Sequence, residues 1–559
     1  MIFRKLYLFI LLLSSSLSLE ALDISGTIYY ERVQPKHIGG SSRLDYSNIT
    51  KERAKEVFVE AIDSIGNQVS STFTDKRGDY TLQNINSFTN IKIRVSAKMF
   101  KSDHWDVKVI DNSNHDSLYV IEGSLIDTGS TNTIRDLTAS FKNRSSAPFA
   151  ILDSIYQAMN KIYDIDTSIN FPPLKINWSV ENIATGTYYD GEDNIVMQGD
   201  QQGDSDEYDG HIVIHEWGHF FENKFSRADN IGGSHGSNDH LDIRVAFGEG
   251  FGNALSAIVT DDPVYFDTFA SNGWNMNIES ASHQTPGWFS EASIQRILYD
   301  LYDKHNDGQD QLSLGFKPIY QVLREGQKKT HAFTSIFSFI DELKKANPSV
   351  TDKVDEIVAS EDIATIENSY GTDRISNVAE STTPLYSELT VNKTLKNICT
   401  INEYGIYNKL GNHRYIQFTI NKNDTYPIVI KELNGRDSDP DFTLFKTDSF
   451  EKISTQDSDS AGEEKTTLAL TKGEYLLDIF DSSYQKKSCF NISIGDISQN
   501  SDEDVEPEDN YEEIKPENNN TTHSSSVGFS LPKNIFLAIF LLLAILFVPL
   551  LFIRKELKV

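Results

Sequence analysis

Residues 211–222 read His-Ile-Val-Ile-His-Glu-Trp-Gly-His-Phe-Phe-Glu. Ile212, Val213, Ile214, Trp217, Phe220 and Phe221 supply apolar faces around the two histidines of His215-Glu216-Trp217-Gly218-His219, the pattern of a packed helix. Side chains four apart on a helix project from one face. His215 and His219 can therefore hold one metal ion from a single helix, and the Glu216 carboxylate can reach a water on that ion. Two histidines and a glutamate at this spacing form the ligand-and-base set of a zinc hydrolase. The alternative is a buried helix that carries these residues by chance, and the rest of the chain decides between the two.

Zinc needs a third protein ligand. The Gly and His that a metzincin places straight after the motif are missing, since Phe-Phe-Glu-Asn-Lys-Phe-Ser-Arg follows His219. Asp239 and Asp242 are conceivable ligands in a polar loop. Glu249 is the better one: it lies 30 positions beyond His219, in the helical stretch Val245-Ala-Phe-Gly-Glu-Gly-Phe-Gly-Asn-Ala-Leu. Its Gly-Glu-Gly-Phe resembles the Glu-Gly-Phe around the third ligand of gluzincin peptidases, a thermolysin-like group. One turn on, those enzymes place an acidic residue that orients the first histidine. Here Asn253 stands in its place, a departure from the pattern. A donor for a developing oxyanion is open among His235, His240, His283, Tyr299 and His331.

The helical period begins at Ala147 with Phe149, Ile151, Leu152, Ile155, Tyr156, Met159 and Ile162, and the catalytic domain is placed at 144–378. Within it, a turn at Asp190-Gly191 precedes Asn-Ile-Val-Met-Gln. In thermolysin-like zincins a similar hairpin lies just before the metal helix, with its edge strand beside the substrate. The resemblance implies Asn194, Ile195, Val196, Met197 and Gln198 as a substrate-pairing edge; an ordinary hairpin is the alternative. The acidic loop 200–209 that follows is the place considered for calcium. Asp303-Lys-His-Asn-Asp-Gly lacks the closing glutamate of an EF-hand and reads as a turn between helices.

Flanking modules read as β-structure. Asp23-Ile-Ser-Gly-Thr-Ile-Tyr-Tyr and Glu56-Val-Phe-Val-Glu-Ala-Ile-Asp alternate like strands. Thr74-Asp75-Lys-Arg-Gly78-Asp-Tyr80-Thr-Leu82 resembles a turn of carboxypeptidase regulatory-like domains, which implies an accessory β-sandwich over 22–143 without a catalytic set. Frequent short strands return over 379–497. There Asp439-Pro-Asp-Phe-Thr-Leu-Phe and Leu470-Thr-Lys-Gly-Glu-Tyr-Leu-Leu resemble the bacterial pre-peptidase C-terminal domain, another sandwich that accompanies secreted peptidases. Cys399 and Cys489, the only two cysteines, lie near its ends. An exported location permits a disulfide between them; two buried thiols are the alternative.

The ends suggest the compartment. Arg4 and Lys5, an apolar run over 6–13 and a serine-rich stretch read as a signal peptide, 1–21, or an uncleaved anchor. Residues 498–532 are an acidic, Asn- and Ser-rich stalk. Residues 535–553 carry no charge, and at about 1.5 Å per residue they just cross a core of about 30 Å. A transmembrane helix is expected over 533–553, with the basic tail 554–559 cytoplasmic and the body exported. A sorting tail removed after export is the alternative. With 559 residues, three or four units are expected, and a net charge of -31 argues against a nucleic-acid partner.

The expected fold is therefore multidomain: a zincin-like α+β catalytic domain flanked by two all-β sandwiches, plus one C-terminal transmembrane helix. The expected function is a membrane-anchored, exported zinc metallopeptidase, with Glu216 as general base, His215, His219 and Glu249 on zinc, and a protein or peptide as substrate. The alternatives are a zinc hydrolase of a non-peptide bond and an adhesin with a degenerate peptidase domain.

Overall fold

The computed structural model describes residues 21–496, apart from 184–185, 271–272, 281–284, 306–310, 372–377, 379–381 and 436. The expected leader 1–21 (all but Ala21), stalk 498–532, membrane helix 533–553 and tail 554–559 lie outside the described residues. Among the described residues, no helix is long and apolar enough to cross a membrane.

The described residues start as β-sheet. β1 (Ala21–Ile38) buries Leu22, Ile24, Ile28, Tyr30 and Val33 and pairs antiparallel with β2 (Ser41–Arg53). β2 is polar and shows no alternation that would announce it. It is a strand because β1 offers it a hydrogen-bonding ladder. β3 (Val57–Asp63) and β4 (Gln68–Phe73) form a hairpin, β5 (Asp79–Asn86) joins β1, and β6 (Asn90–Lys101) runs between β3 and β7 (Trp105–Asp111).

The sheet does not stop where the sequence places the end of the first domain. Strand Leu174–Trp178 pairs in parallel with β7, Leu174 opposite Val107. Strand Asn194–Met197 pairs in parallel with Leu174–Trp178, and Tyr188–Tyr189 closes the row antiparallel to it, in one 10-stranded sheet. The boundary expected at 143/144 therefore runs through a single sheet. Leu174, Ile176 and Trp178 are buried, and β7 would otherwise leave its ladder groups unpaired under them. The same geometry corrects the expected edge strand. Asn194, Ile195, Val196 and Met197 are covered on both sides, and Gln198 N–H is taken by Thr187 Oγ1 at 3.0 Å. The turn at Asp190-Gly191 folds Tyr188–Tyr189 back over them, and that pair is the edge.

Helices cover this sheet. α1 (Ala147–Tyr163) starts on Pro148, whose missing N–H suits a first turn. α2 (Gly210–Phe225) carries the histidine motif, followed by α3 (Ile243–Thr260) and α4 (Glu291–Tyr302). All of α3 except Thr260 is buried. Two glycines set its distance from its neighbours: a Cβ on Gly252 would stand 2.8 Å from the His215 ring, and one on Gly250 2.5 Å from Ile294 Cβ. One apolar core runs from Leu22 through α1–α4 to Leu476, so no linker separates the first sheets from the helices.

The C-terminal module has two sheets of five and four strands around Ile416, Phe418, Ile430, Phe442, Leu444 and Ile492. Cys399 and Cys489 face each other on neighbouring strands and form a disulfide, with an S–S distance of 2.05 Å.

Candidate metal centre

α2 enters the centre from a pinned start. Asp209, just before Gly210, accepts Thr268 N–H at 2.6 Å and Thr268 Oγ1 at 2.9 Å, which ties the helix to the chain after α3. One turn apart, His215 and His219 bring their Nε2 atoms to 3.0 Å. Glu249 reaches in from α3, with Oε2 3.2 Å from His215 Nε2 and 3.4 Å from His219 Nε2. One ligand atom from each of the three lies within 4.8 Å of the others, and His215 and Glu249 are buried. Asp239 and Asp242 do not join them: Asp239 pairs with Lys409 at 3.3 Å, and Asp242 caps α3 and pairs with Arg244. His211 is turned to the Asp262 carbonyl at 3.1 Å.

The residues behind the three set their orientation. His215 Nδ1 lies 2.8 Å from Asn253 Oδ1, and Asn253 Nδ2 donates to Gln295 Oε1 at 2.9 Å. With its amide nitrogen committed to Gln295, Asn253 offers an acceptor to His215. Nδ1 then carries the proton, and Nε2 presents its lone pair to the cluster. The second Glu249 oxygen accepts Asn230 Nδ2 at 2.8 Å. Glu216 Oε2 accepts the Tyr189 N–H at 2.9 Å, so the base candidate touches the edge strand.

The electrostatics follow from burial and crowding. Burial raises the Glu216 carboxyl, an effect that His215 and His219 oppose and Glu249 reinforces. Burial alone would lower His219, but Glu249 and Glu216 push it up to about 9. Burial would raise Glu249, but His219 and His215 hold it well below the usual carboxylate range.

Of the five candidate oxyanion donors, His235 is at the cluster. Its Nδ1 lies 2.7 Å from Glu291 Oε2 and its Nε2 3.3 Å from Glu249 Oε2. His240 is stacked between Phe289 and Tyr404, His331 pairs with Glu474 at 3.1 Å, and the Tyr299 ring lies against Tyr302. His283 lies outside the described residues. A cleft of about 710 Å³ opens over the three donors and is lined also by Tyr188, Tyr189, Tyr265, Trp274 and Met276. Asn230, Tyr189, Gln295 and the hairpin Val264–Asp267/Trp274–Asn277 carry no motif, and sequence reasoning does not find them.

The acidic loop supplies a second cluster: Asp204 and Asp206, joined by Asp267, have ligand atoms within 4.8 Å of one another. Among the described residues, Asp204 Oδ1 and Asp267 Oδ1 are buried without a hydrogen-bond partner.

Comparison with known families adds one match. The mycolysin C-terminal domain covers residues 159–361, a range that includes His215, Glu216, His219 and Glu249. The match associates this part of the chain with a peptidase family. No curated protein matches it. Several solved structures resemble a portion of the chain. The pre-peptidase C-terminal domain of a Bacillus anthracis collagenase is 12% identical with a TM-score of 0.16, over 20% of this chain and 93% of that one. A surface-associated copper-binding protein of Methylomicrobium album is 7% identical with a TM-score of 0.16, over 20% and 98%. A periplasmic inhibitor of g-type lysozyme from Aeromonas hydrophila is 14% identical with a TM-score of 0.14, over 20% and 96%.

Proposed function

We propose that this peptidase-associated chain is a zinc-dependent metallopeptidase that hydrolyses peptide bonds. The observation that carries the proposal is the convergence of His215 Nε2, His219 Nε2 and Glu249 Oε2, with Glu216 beside them. The donors fit zinc, which takes imidazole nitrogen and carboxylate oxygen and in catalytic sites keeps one position open. Bound there, zinc would lower the pKa of water towards about 7 and polarise a carbonyl.

The chain's own residues supply the rest. Glu216, raised by burial, takes a proton from the attacking water. As the new C–O bond forms and the C–N bond breaks, it delivers that proton to the leaving amine. His235, braced by Glu291, is the donor for charge developing on the carbonyl oxygen. Asn253 holds His215 in its tautomer. The edge pair Tyr188–Tyr189 is the segment to which an extended peptide adds as a strand, in place of 194–198.

The proposal includes calcium as a second ion at Asp204, Asp206 and Asp267. It also includes export, with a membrane anchor at 533–553, a reading that rests on the sequence of the two ends. The test is zinc content and casein cleavage by the purified full chain beside Glu216→Gln and Glu249→Ala. Glu216→Gln is expected to keep zinc and lose cleavage by about 100-fold or more, and Glu249→Ala to lose zinc. Equal cleavage by the parent and Glu216→Gln would overturn the mechanism.

A further inference from the structure

Part of the cleft lining is a two-stranded ribbon, Val264–Asp267 paired with Trp274–Asn277, which among the described residues forms a sheet of its own. Tyr265, Trp274 and Met276 line the cleft from it. The Trp274 ring stacks on Tyr265 with centroids 5.6 Å apart, and 40% of the residue is exposed. The ribbon thus presents an apolar face to whatever enters beside Glu216. A two-stranded ribbon is marginal in water on its own, so something must hold it.

What holds it comes from the first module. Asn275 lies between the two wall residues Trp274 and Met276. Its side-chain nitrogen donates to Gly39 O at 3.1 Å and Ser42 Oγ at 2.9 Å, and its N–H to Gly40 O at 3.1 Å. In return Ser42 N–H and Ser41 Oγ donate to Gly273 O at 3.2 and 3.0 Å. On the other strand Phe266 meets the His37 ring edge-on at 5.1 Å. The approach leaves no room for a side chain: a Cβ on Gly273 would stand 2.0 Å from Asp267 O and 2.7 Å from Ser42 O.

We propose that the tip of the β1–β2 hairpin, residues 39–42, is a positioning part of the substrate site: through Asn275 it fixes the Trp274 and Met276 face against which a substrate side chain beside the cleaved bond rests. The inference rests on the peptidase reading and extends it, because it makes the β1–β2 hairpin part of the binding site. Asn275 acts through its neighbours and touches no reacting atom.

The experiment uses the full chain with Asn275→Ala, Ser42→Ala and Trp274→Ala, measuring zinc content, KM and kcat on a casein-derived peptide, and amide exchange over 273–277. Asn275→Ala is expected to speed that exchange and to raise KM about fivefold or more, with kcat within about twofold and zinc unchanged. Ser42→Ala shifts both in the same direction by less, and Trp274→Ala raises KM at least as much as Asn275→Ala. Unchanged exchange in Asn275→Ala overturns the tether. Faster exchange with an unchanged KM, or an unchanged KM in Trp274→Ala, overturns the role of the wall in binding. If the parent cleaves no peptide, the hydrolase reading falls on its own, and the substrate part of this inference falls with it.

Discussion

Arg244 on α3 donates from Nη1 to Asp478 Oδ2 in the C-terminal sandwich at 2.7 Å, and both side chains are almost wholly buried. Asp242 accepts the other face of the guanidinium, from Nε at 2.9 Å and Nη2 at 3.0 Å. Tyr415 OH donates to Asp242 and His413 Nδ1 lies 2.8 Å from Asp478 Oδ1. The helix that carries Glu249 is thus bound to the sandwich by a buried charge cluster with one permanent cation. Removing that cation strands two buried carboxylates. Arg244→Met is expected to cost about 3–5 kcal/mol, read as a lowered denaturation midpoint. A loss below about 1 kcal/mol would mean that the cluster is not held by this pair.

The same cluster predicts an acid limb. Burial would raise the Asp242 carboxyl, but Arg244 and its hydrogen bonds hold it down at about 2. A carboxyl whose folded pKa lies below its unfolded value of about 3.9 contributes stability that is fully present above that value and lost as pH falls through the folded one. The loss amounts to about 2–3 kcal/mol. Stability measured against pH should therefore fall between about 4 and 2, and Asp242→Asn should flatten that limb. An identical limb in the variant removes Asp242 as its source.

Asn253 faces His215 Nδ1 where an acidic residue would bind the same proton more strongly. Asn253→Ala is expected to weaken zinc binding about 10- to 100-fold, and Asn253→Asp to match or exceed the parent. Competition with a chelator measures both. Equal affinity in all three proteins would show that Asn253 only fills space.

The Asp204, Asp206 and Asp267 cluster predicts a calcium response that depends on pH. Burial, helped by Asp204, pushes Asp267 up to about 7. A raised carboxyl favours the fold below its unfolded pKa, and that contribution is lost as pH rises through the folded value. Without an ion the fold should therefore be less stable at about pH 8 than at about pH 5.5, and added calcium should raise the Tm more at the higher pH. Asp267→Asn should reduce the difference, and the part that remains belongs to Asp204 and Asp206, which burial also raises. A calcium shift independent of pH, or none, removes the cation from this loop.

Much of the candidate centre is legible because helical spacing is local. His215, Glu216 and His219 share one face of α2 whatever surrounds it, and Glu249 and Asn253 stand one turn apart on α3. That these two helices meet through Gly252, with Glu249 rather than Asp239 or Asp242 at the histidines, is a matter of packing. His235 cannot be told from His240 or His331 by sequence, since each is a histidine in a polar stretch and only contacts distinguish them.

From the sequence alone come the helix and its histidine spacing, the β character of the two flanks and the start of α1 at Ala147, because periodicity and turn residues act within a few positions. The tertiary structure alone decides what depends on neighbours far along the chain. It gives the sheet edge to Tyr188–Tyr189 instead of 194–198, carries one sheet across 143/144, and sets Ser42 against Gly273 at the cleft wall. An edge, a domain boundary and a tether are defined by which backbone groups remain unpaired once the chain has folded, and no local pattern records that.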